Sequence, residues 1–116
     1  MSDKAASRRL KLTADRTGKA PVVRCSGRLV AGETDRFYSD VKQLIPRCNR
    51  VVLDFKDLTH MDSSGIGALV RLYVSGKSAG CVIELIHIGP SVRQLLGVTH
   101  LLSVFQLIGE HNIRMG

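Results

Sequence analysis

The sequence is poor in aromatic residues and has no apolar run long enough to cross a membrane. Tryptophan is absent, and aromatic residues make up 4% of the 116 positions, so the core must be built from Val, Ile and Leu. No apolar stretch approaches the roughly 18–20 residues of a membrane-spanning helix, and the N-terminus lacks an apolar segment of signal-peptide length. We therefore expect a cytoplasmic protein without a membrane span and with a single core.

Cysteine and histidine are also too few and too scattered to predict a metal site. The three cysteines form no C-x-x-C pair, and the four histidines show no i, i+4 or H-x-H spacing. We therefore expect neither a disulfide framework nor a bound metal. These residues are Cys25, Cys48, Cys81, His60, His87, His100 and His111.

Enzyme signatures are incomplete as well. Gly76-Lys-Ser78 resembles the end of a phosphate-binding loop, but Arg71 stands where that motif needs its first glycine. Gly65-Ile-Gly67 lacks the third glycine of a dinucleotide fingerprint, because that position holds Val70. Neither Ser63 nor Ser64 has the glycine two residues earlier that a nucleophile elbow needs, because Met61 and Asp62 stand there. We therefore predict a protein that is not an enzyme and binds no cofactor.

Positive charge is abundant, with a formal net charge of +7. Residues 1–30 hold eight basic and two acidic residues, whereas the rest of the chain is nearly balanced. A basic end of this kind is compatible with nucleic acid or anionic lipid. No aromatic residue interleaves the charges as single-strand binding requires, so we favour a solvated edge and expect no direct contact with nucleic acid.

Residue periodicity predicts an α/β fold with the order β-β-α-β-α-β-α-β. Residues 1–8 form a flexible basic lead-in, and residues 9–116 form one domain. Alternating residues in 9–15 and 22–30 predict an antiparallel hairpin. An amphipathic helix follows with Phe37, Val41, Leu44 and Ile45 on one side, and Pro46 marks its end.

The second half of the chain repeats strand–helix steps. A mostly apolar run at 50–55 predicts a strand buried on both faces. The helix after it has a predicted stripe at Ile66, Leu69, Val70, Tyr73 and Val74 and ends at Gly80. A strand at 81–88, a short helix at 89–97 and a last short strand within 100–108 complete a mixed sheet covered by helices.

Small polar residues crowd the junction between the third strand and the second long helix. The sequence there reads Asp62-Ser-Ser-Gly65-Ile-Gly67. An Asp or Ser at such a position caps the helix and contributes about 1 kcal/mol. Capping needs one such residue, and this junction has three, so we also consider a serine that is phosphorylated at the helix N-terminus.

The stretch from Val51 to Val70, "VVLDFKDLTHMDSSGIGALV", resembles the central motif of the STAS domain of bacterial anti-sigma factor antagonists (anti-anti-sigma factors). The resemblance extends over roughly residues 10–107. It implies that Ser63 is phosphorylated by an anti-sigma factor that is itself a serine kinase, a histidine-kinase-like ATPase. Phosphorylation releases that partner and a phosphatase restores binding, which regulates transcription by partner switching. Asp62, Ser63, Ser64, Gly65 and Gly67 would then form the partner-binding surface.

One position departs from the family pattern. Many antagonists read G-E-L-D at the end of the second strand, where this chain reads Gly27-Arg28-Leu29-Val30. Val30 in place of the acid favours an alternative, in which the domain is an unphosphorylated interaction subunit of a lipid-transport ABC system or a stress-sensing complex. A third hypothesis is nucleic-acid binding by the basic N-terminal region. The choice between Ser63 and Ser64, and the oligomeric state, stay open at this point.

Overall fold

The computed structural model describes residues 9–98, 105–107 and 113–115. The predicted lead-in, residues 1–8, lies outside them. The strands are β1 Lys11–Asp15, β2 Val22–Leu29, β3 Arg50–Met61, β4 Val82–Ile86, β5 Phe105–Leu107 and β6 Ile113–Met115. The helices are α1 Thr34–Lys42, α2 Ser63–Ala79 and α3 Pro90–Val98, with a single 3-10 turn at Ile45–Arg47.

The six strands form one mixed sheet in the order β1-β2-β3-β4-β6-β5. The predicted hairpin is confirmed, because β1 pairs with β2 antiparallel. Strands β2, β3 and β4 run parallel, as their helical crossovers require. Only one closing strand was predicted, and this was wrong: β6 lies between β4 and β5 and is antiparallel to both. A strand of three residues is too short to show a periodic pattern.

The core lies between the sheet and the helices. Helices α1 and α2 contact each other and pack on β2, β3 and β4, while α3 packs on β3. Val51, Val52 and Leu53 are all buried, which confirms that the first half of β3 is covered on both faces. The largest fully buried side chains are Phe37, Phe55, Leu29, Leu53, Leu69, Leu72, Ile83, Leu85, Leu96 and Val41.

Two boundaries differ from the predictions. Helix α1 ends at Lys42, before Pro46, yet Leu44 and Ile45 are still buried, because the 3-10 turn carries them under the core. Strand β3 continues six residues beyond the predicted apolar run and ends at Met61. Its second half is polar, and parallel pairing with β2 holds it in the sheet as far as Met61.

The predicted apolar stripe of α2 is also partly wrong. Val74 is 56% exposed, whereas Leu72, outside the stripe, is fully buried. Apolar residues occur on more than one side of this helix, so periodicity alone does not fix its rotation. Within the described residues, none of the helices combines the length and apolarity needed to cross a bilayer.

Candidate functional site

The candidate site lies where β3 passes into α2, next to the end of β2. Leu29 and Met61 are the last pair of the β2–β3 ladder. The Asp62 N–H donates to the Leu29 carbonyl oxygen at 3.4 Å. Because both strands are parallel and end together, the turn after β2 and the start of α2 lie side by side.

Asp62 caps α2, as predicted. Its Oδ1 accepts hydrogen bonds from the backbone N–H of Ser64 at 3.0 Å and of Gly65 at 3.3 Å. Its backbone carbonyl accepts from the N–H of Ile66 at 3.3 Å. The side chain of one residue therefore satisfies two of the four N–H groups that a helix leaves free at its start, and the Ile66 bond is the first regular bond of the helix.

The same carboxylate also joins two loops. Oδ2 of Asp62 accepts a hydrogen bond from the N–H of Ala31 at 3.1 Å, in the turn that follows β2. This contact links positions 31 residues apart and was not predicted, because it depends on the register of β2 against β3. The sequence pattern revealed the cap but not its second function as a bridge.

Hydrogen bonding keeps Asp62 ionised. The Ser64 hydroxyl donates to Oδ1, and this bond is the largest cause that lowers the pKa of the Asp62 carboxyl below its ordinary value of 3.8. Burial is the second-largest effect and raises the pKa, and the N–H groups of Ala31, Gly65 and Ser64 each lower it further. The junction therefore carries a fixed negative charge at neutral pH.

The two serines of the motif differ in their environments. Ser64 is half-buried, and its hydroxyl is engaged by Asp62. Ser63 is the first residue of α2, its side chain is exposed, and its hydroxyl has no hydrogen-bond partner among the described residues. Of the two hydroxyls, that of Ser63 is the accessible one.

The two glycines of the motif also differ in their surroundings, since one is closely packed and the other is open to solvent. A Cβ atom at Gly65 would lie 2.7 Å from Cγ of Met61 and 2.8 Å from the carbonyl oxygen of Leu29. Gly65 therefore permits the close approach of α2 to the ends of β2 and β3. A Cβ atom at Gly67 would meet nothing within 4 Å. Gly67 is exposed, so the absence of its side chain leaves a bare patch of helix surface.

The turn after β2 shows what surrounds Val30, the residue that replaces the acid of the family pattern. The Val30 carbonyl accepts from the Glu33 N–H at 2.9 Å, which closes the turn. The Glu33 carboxylate accepts from the Leu10 N–H at 3.1 Å and pairs with Arg36 at 3.8 Å. Glu33 is thus committed to other contacts and does not replace the missing acid.

The neighbouring polar residues form no catalytic arrangement. The Thr59 hydroxyl donates to the Gly27 carbonyl at 2.8 Å, and Nδ1 of His60 lies 3.0 Å from the same hydroxyl. His60 is therefore engaged by its neighbour in β3, not by Ser63. In the described part of the chain, no group of three or more His, Cys, Asp or Glu residues could hold a metal ion.

Comparison with known proteins agrees with this geometry. The family model of the STAS domain matches residues 11–113. The chain belongs to the STAS family. A curated STAS relative, the anti-sigma F factor antagonist of Paenibacillus polymyxa, is 30% identical over 88 residues, which covers 74% of this chain and 75% of that protein.

Solved structures show the same STAS fold in proteins of different kinds. An anti-sigma factor antagonist from Mycobacterium paratuberculosis superposes with a TM-score of 0.74 at 19% identity, covering 87% of this chain and 86% of that one. A sulfate transporter family protein from Wolinella succinogenes superposes with a TM-score of 0.64 at 17% identity, covering 73% and 70%. At such identities the likeness establishes the fold alone, so function must be argued from the site.

Proposed function

We propose that this STAS domain is an anti-sigma factor antagonist. In this proposal it binds an anti-sigma factor with serine kinase activity through the surface around the start of α2. Phosphorylation of Ser63 releases that partner, and a phosphatase restores binding. The domain is a substrate and a binder, not a catalyst, and it acts in the cytoplasm.

One observation carries the proposal: Asp62 engages its neighbours and leaves Ser63 free. The carboxylate holds the Ser64 hydroxyl and the Ala31 N–H, while the Ser63 hydroxyl is exposed at the first position of the helix. A kinase needs an accessible hydroxyl, and Ser63 offers one. This favours Ser63 over Ser64 as the acceptor.

The same arrangement supports phosphorylation as a signal for release. A phosphoserine carries about −1.5 to −2 charges at neutral pH. Two of the N–H groups that would hold a phosphate at a helix N-terminus, those of Ser64 and Gly65, are already occupied by Asp62. A phosphate on Ser63 therefore stands beside the ionised Asp62 and competes with it for those two N–H donors. A partner surface fitted to a neutral serine would meet this double negative charge and dissociate.

The experiment compares wild type with Ser63→Asp, Ser63→Ala and Ser64→Ala as baits in native cell lysate, with bound proteins identified by mass spectrometry. We expect a histidine-kinase-like ATPase to bind wild type and both alanine variants. We expect Ser63→Asp to lose it. Aspartate at the first position of a helix is favourable, so this variant should fold normally, which circular dichroism checks.

A second candidate role is supported by Val30. Without the usual acid near the junction, the domain could act as an interaction subunit of a transport or stress-sensing complex that is never phosphorylated. In that case transporter subunits or other STAS proteins would bind wild type and Ser63→Asp equally. Equal capture would reject the switch and leave the α2 surface as a constitutive docking site.

A further inference from the structure

Two adjoining hollows lie at the end of the sheet where β2, β3 and β4 begin. Ser63 follows the opposite end of β3, and a strand of 12 residues is about 35 Å long. The larger hollow, of about 490 Å³, is lined by Lys19, Ala20, Arg47, Cys48, Asn49 and Arg50. The smaller one, of about 170 Å³, shares Lys19, Arg47 and Cys48 and adds Arg16.

The charged residues that line these hollows, within the described part of the chain, are all cations. We call the surface formed by Arg16, Lys19, Arg47 and Arg50 the basic groove. Arg50 pairs with the buried Glu84 at 3.5 Å. The other three cations make no ion pair among the described residues, so their charge is available to a ligand.

Apart from Glu84, the nearby carboxylates of the described residues make no ion pair with the basic groove. Asp15 accepts hydrogen bonds from the Thr17 N–H at 3.0 Å and the Thr17 hydroxyl at 2.7 Å, within the β1–β2 turn. Asp40 lines a neighbouring hollow that shares Arg16 and Leu44 with the smaller one, and among the described residues it makes no ion pair with Arg16. Neither carboxylate lines the two hollows of the basic groove.

The composition of the basic groove discriminates between anionic ligands. Its cations are spread along two hollows, whereas a single phosphate would need donors that converge on one point. Pro21 and Leu44 add apolar surface beside the cations. No aromatic residue lines either hollow in the described structure, and single-stranded nucleic acid depends on aromatic stacking. An extended peptide with acidic and apolar side chains matches both features.

We propose that the basic groove binds an acidic segment of a partner protein. It lies at the opposite end of the sheet from Ser63, so binding there is independent of the proposed switch. The chain would thereby hold a second partner, or a second part of the same partner, while the α2 surface is engaged. The proposal stands whether or not Ser63 is phosphorylated.

The test titrates the full chain with a short synthetic peptide rich in Glu and Leu, followed by NMR chemical shifts. We expect shifts to concentrate at residues 16–20 and 47–50 and to spare Ser63–Gly67. Cys48 gives a second readout, because it is half-buried whereas Cys25 and Cys81 are buried. Bound peptide should slow alkylation of Cys48, as measured by mass spectrometry.

Charge reversal provides matched variants. Lys19→Glu combined with Arg47→Glu should lower peptide affinity about tenfold. The control is Lys56→Glu combined with Lys77→Glu, which changes the net charge by the same amount at exposed positions outside the basic groove. Its peptide affinity should stay within about twofold of wild type. Binding should also be lost at high salt, since the screening length falls to about 3 Å at 1 M.

Several results would overturn the proposal. The peptide could fail to bind, or both double variants could weaken it equally, which would indicate attraction to overall charge alone. Shifts centred on Ser63–Gly67 would place the ligand at the other site. A single-stranded RNA of equal charge that binds the basic groove more tightly than the peptide would make this surface a nucleic-acid site instead.

Discussion

Replacing each glycine at the start of α2 by alanine gives opposite predicted effects on stability. In a helix interior, Gly→Ala contributes about 0.5–1 kcal/mol of stability, because alanine loses less backbone entropy on folding. Gly67→Ala should show this gain in full, since its Cβ atom meets nothing within 4 Å.

Gly65→Ala should lose more stability than it gains. Its Cβ atom would lie 2.8 Å from the Leu29 carbonyl oxygen and 3.2 Å from Cγ of the same residue. The Met61 side chain can move away, but the Leu29 oxygen belongs to the sheet backbone. Overpacking of this kind costs about 1–3 kcal/mol. Because the entropy gain applies at both positions, the two variants should differ by this cost, about 1–3 kcal/mol.

Urea unfolding followed by circular dichroism measures this difference. Both variants should keep the wild-type denaturant slope, because neither changes the surface exposed on unfolding. If Gly65→Ala were as stable as Gly67→Ala, the close packing of α2 against the ends of β2 and β3 would be refuted. Partner binding then adds a functional readout: Gly67→Ala should weaken it without loss of stability.

Three further predictions concern the cap, the end of α2 and its buried face. Asp62→Ala should cost about 1 kcal/mol through lost capping, whereas Asp62→Asn retains a good cap. The Asp62 pKa is lowered on folding, so the stability due to its charge is present above pH 3.8 and lost as pH falls through the lowered pKa. The difference in free energy of unfolding between wild type and Asp62→Asn should therefore disappear in urea titrations at acid pH. Gly80 has a φ of 73°, so Gly80→Ala should cost about 1 kcal/mol in the same assay, and unchanged stability would contradict its helix-ending role. Leu72→Ala should lower the free energy of unfolding by about 2–5 kcal/mol and Val74→Ala by less than about 0.5 kcal/mol. Equal losses would mean that α2 does not bury the face that carries Leu72.

The sequence was most informative where local chemistry decides the structure. Asp62 was predicted as a cap and Gly80 as a helix end because capping depends on residues within one turn. The bond from Ala31 to Asp62 could not be predicted, because it needs the register of two parallel strands. The predicted buried face of α2 was wrong at Val74, since burial there depends on α1 and the sheet rather than on periodicity.

The distribution of charge likewise has one part that the sequence predicts and another that only the fold reveals. The sequence places most of the basic excess in residues 1–30, and this suggested a property of one end of the chain. The fold instead brings Arg47 and Arg50 beside Arg16 and Lys19, so the basic groove combines the hairpin turn with the start of β3. Such a surface exists only in three dimensions, and no window of sequence contains it.

The central claim is tested most directly by adding ATP to the complex between this chain and the captured anti-sigma factor. We expect wild type to dissociate and to carry phosphate on Ser63, located by peptide mass spectrometry. Ser63→Ala should stay bound, and Ser64→Ala should dissociate like wild type. Release of Ser63→Ala by ATP, or phosphate on Ser64 alone, would contradict the account.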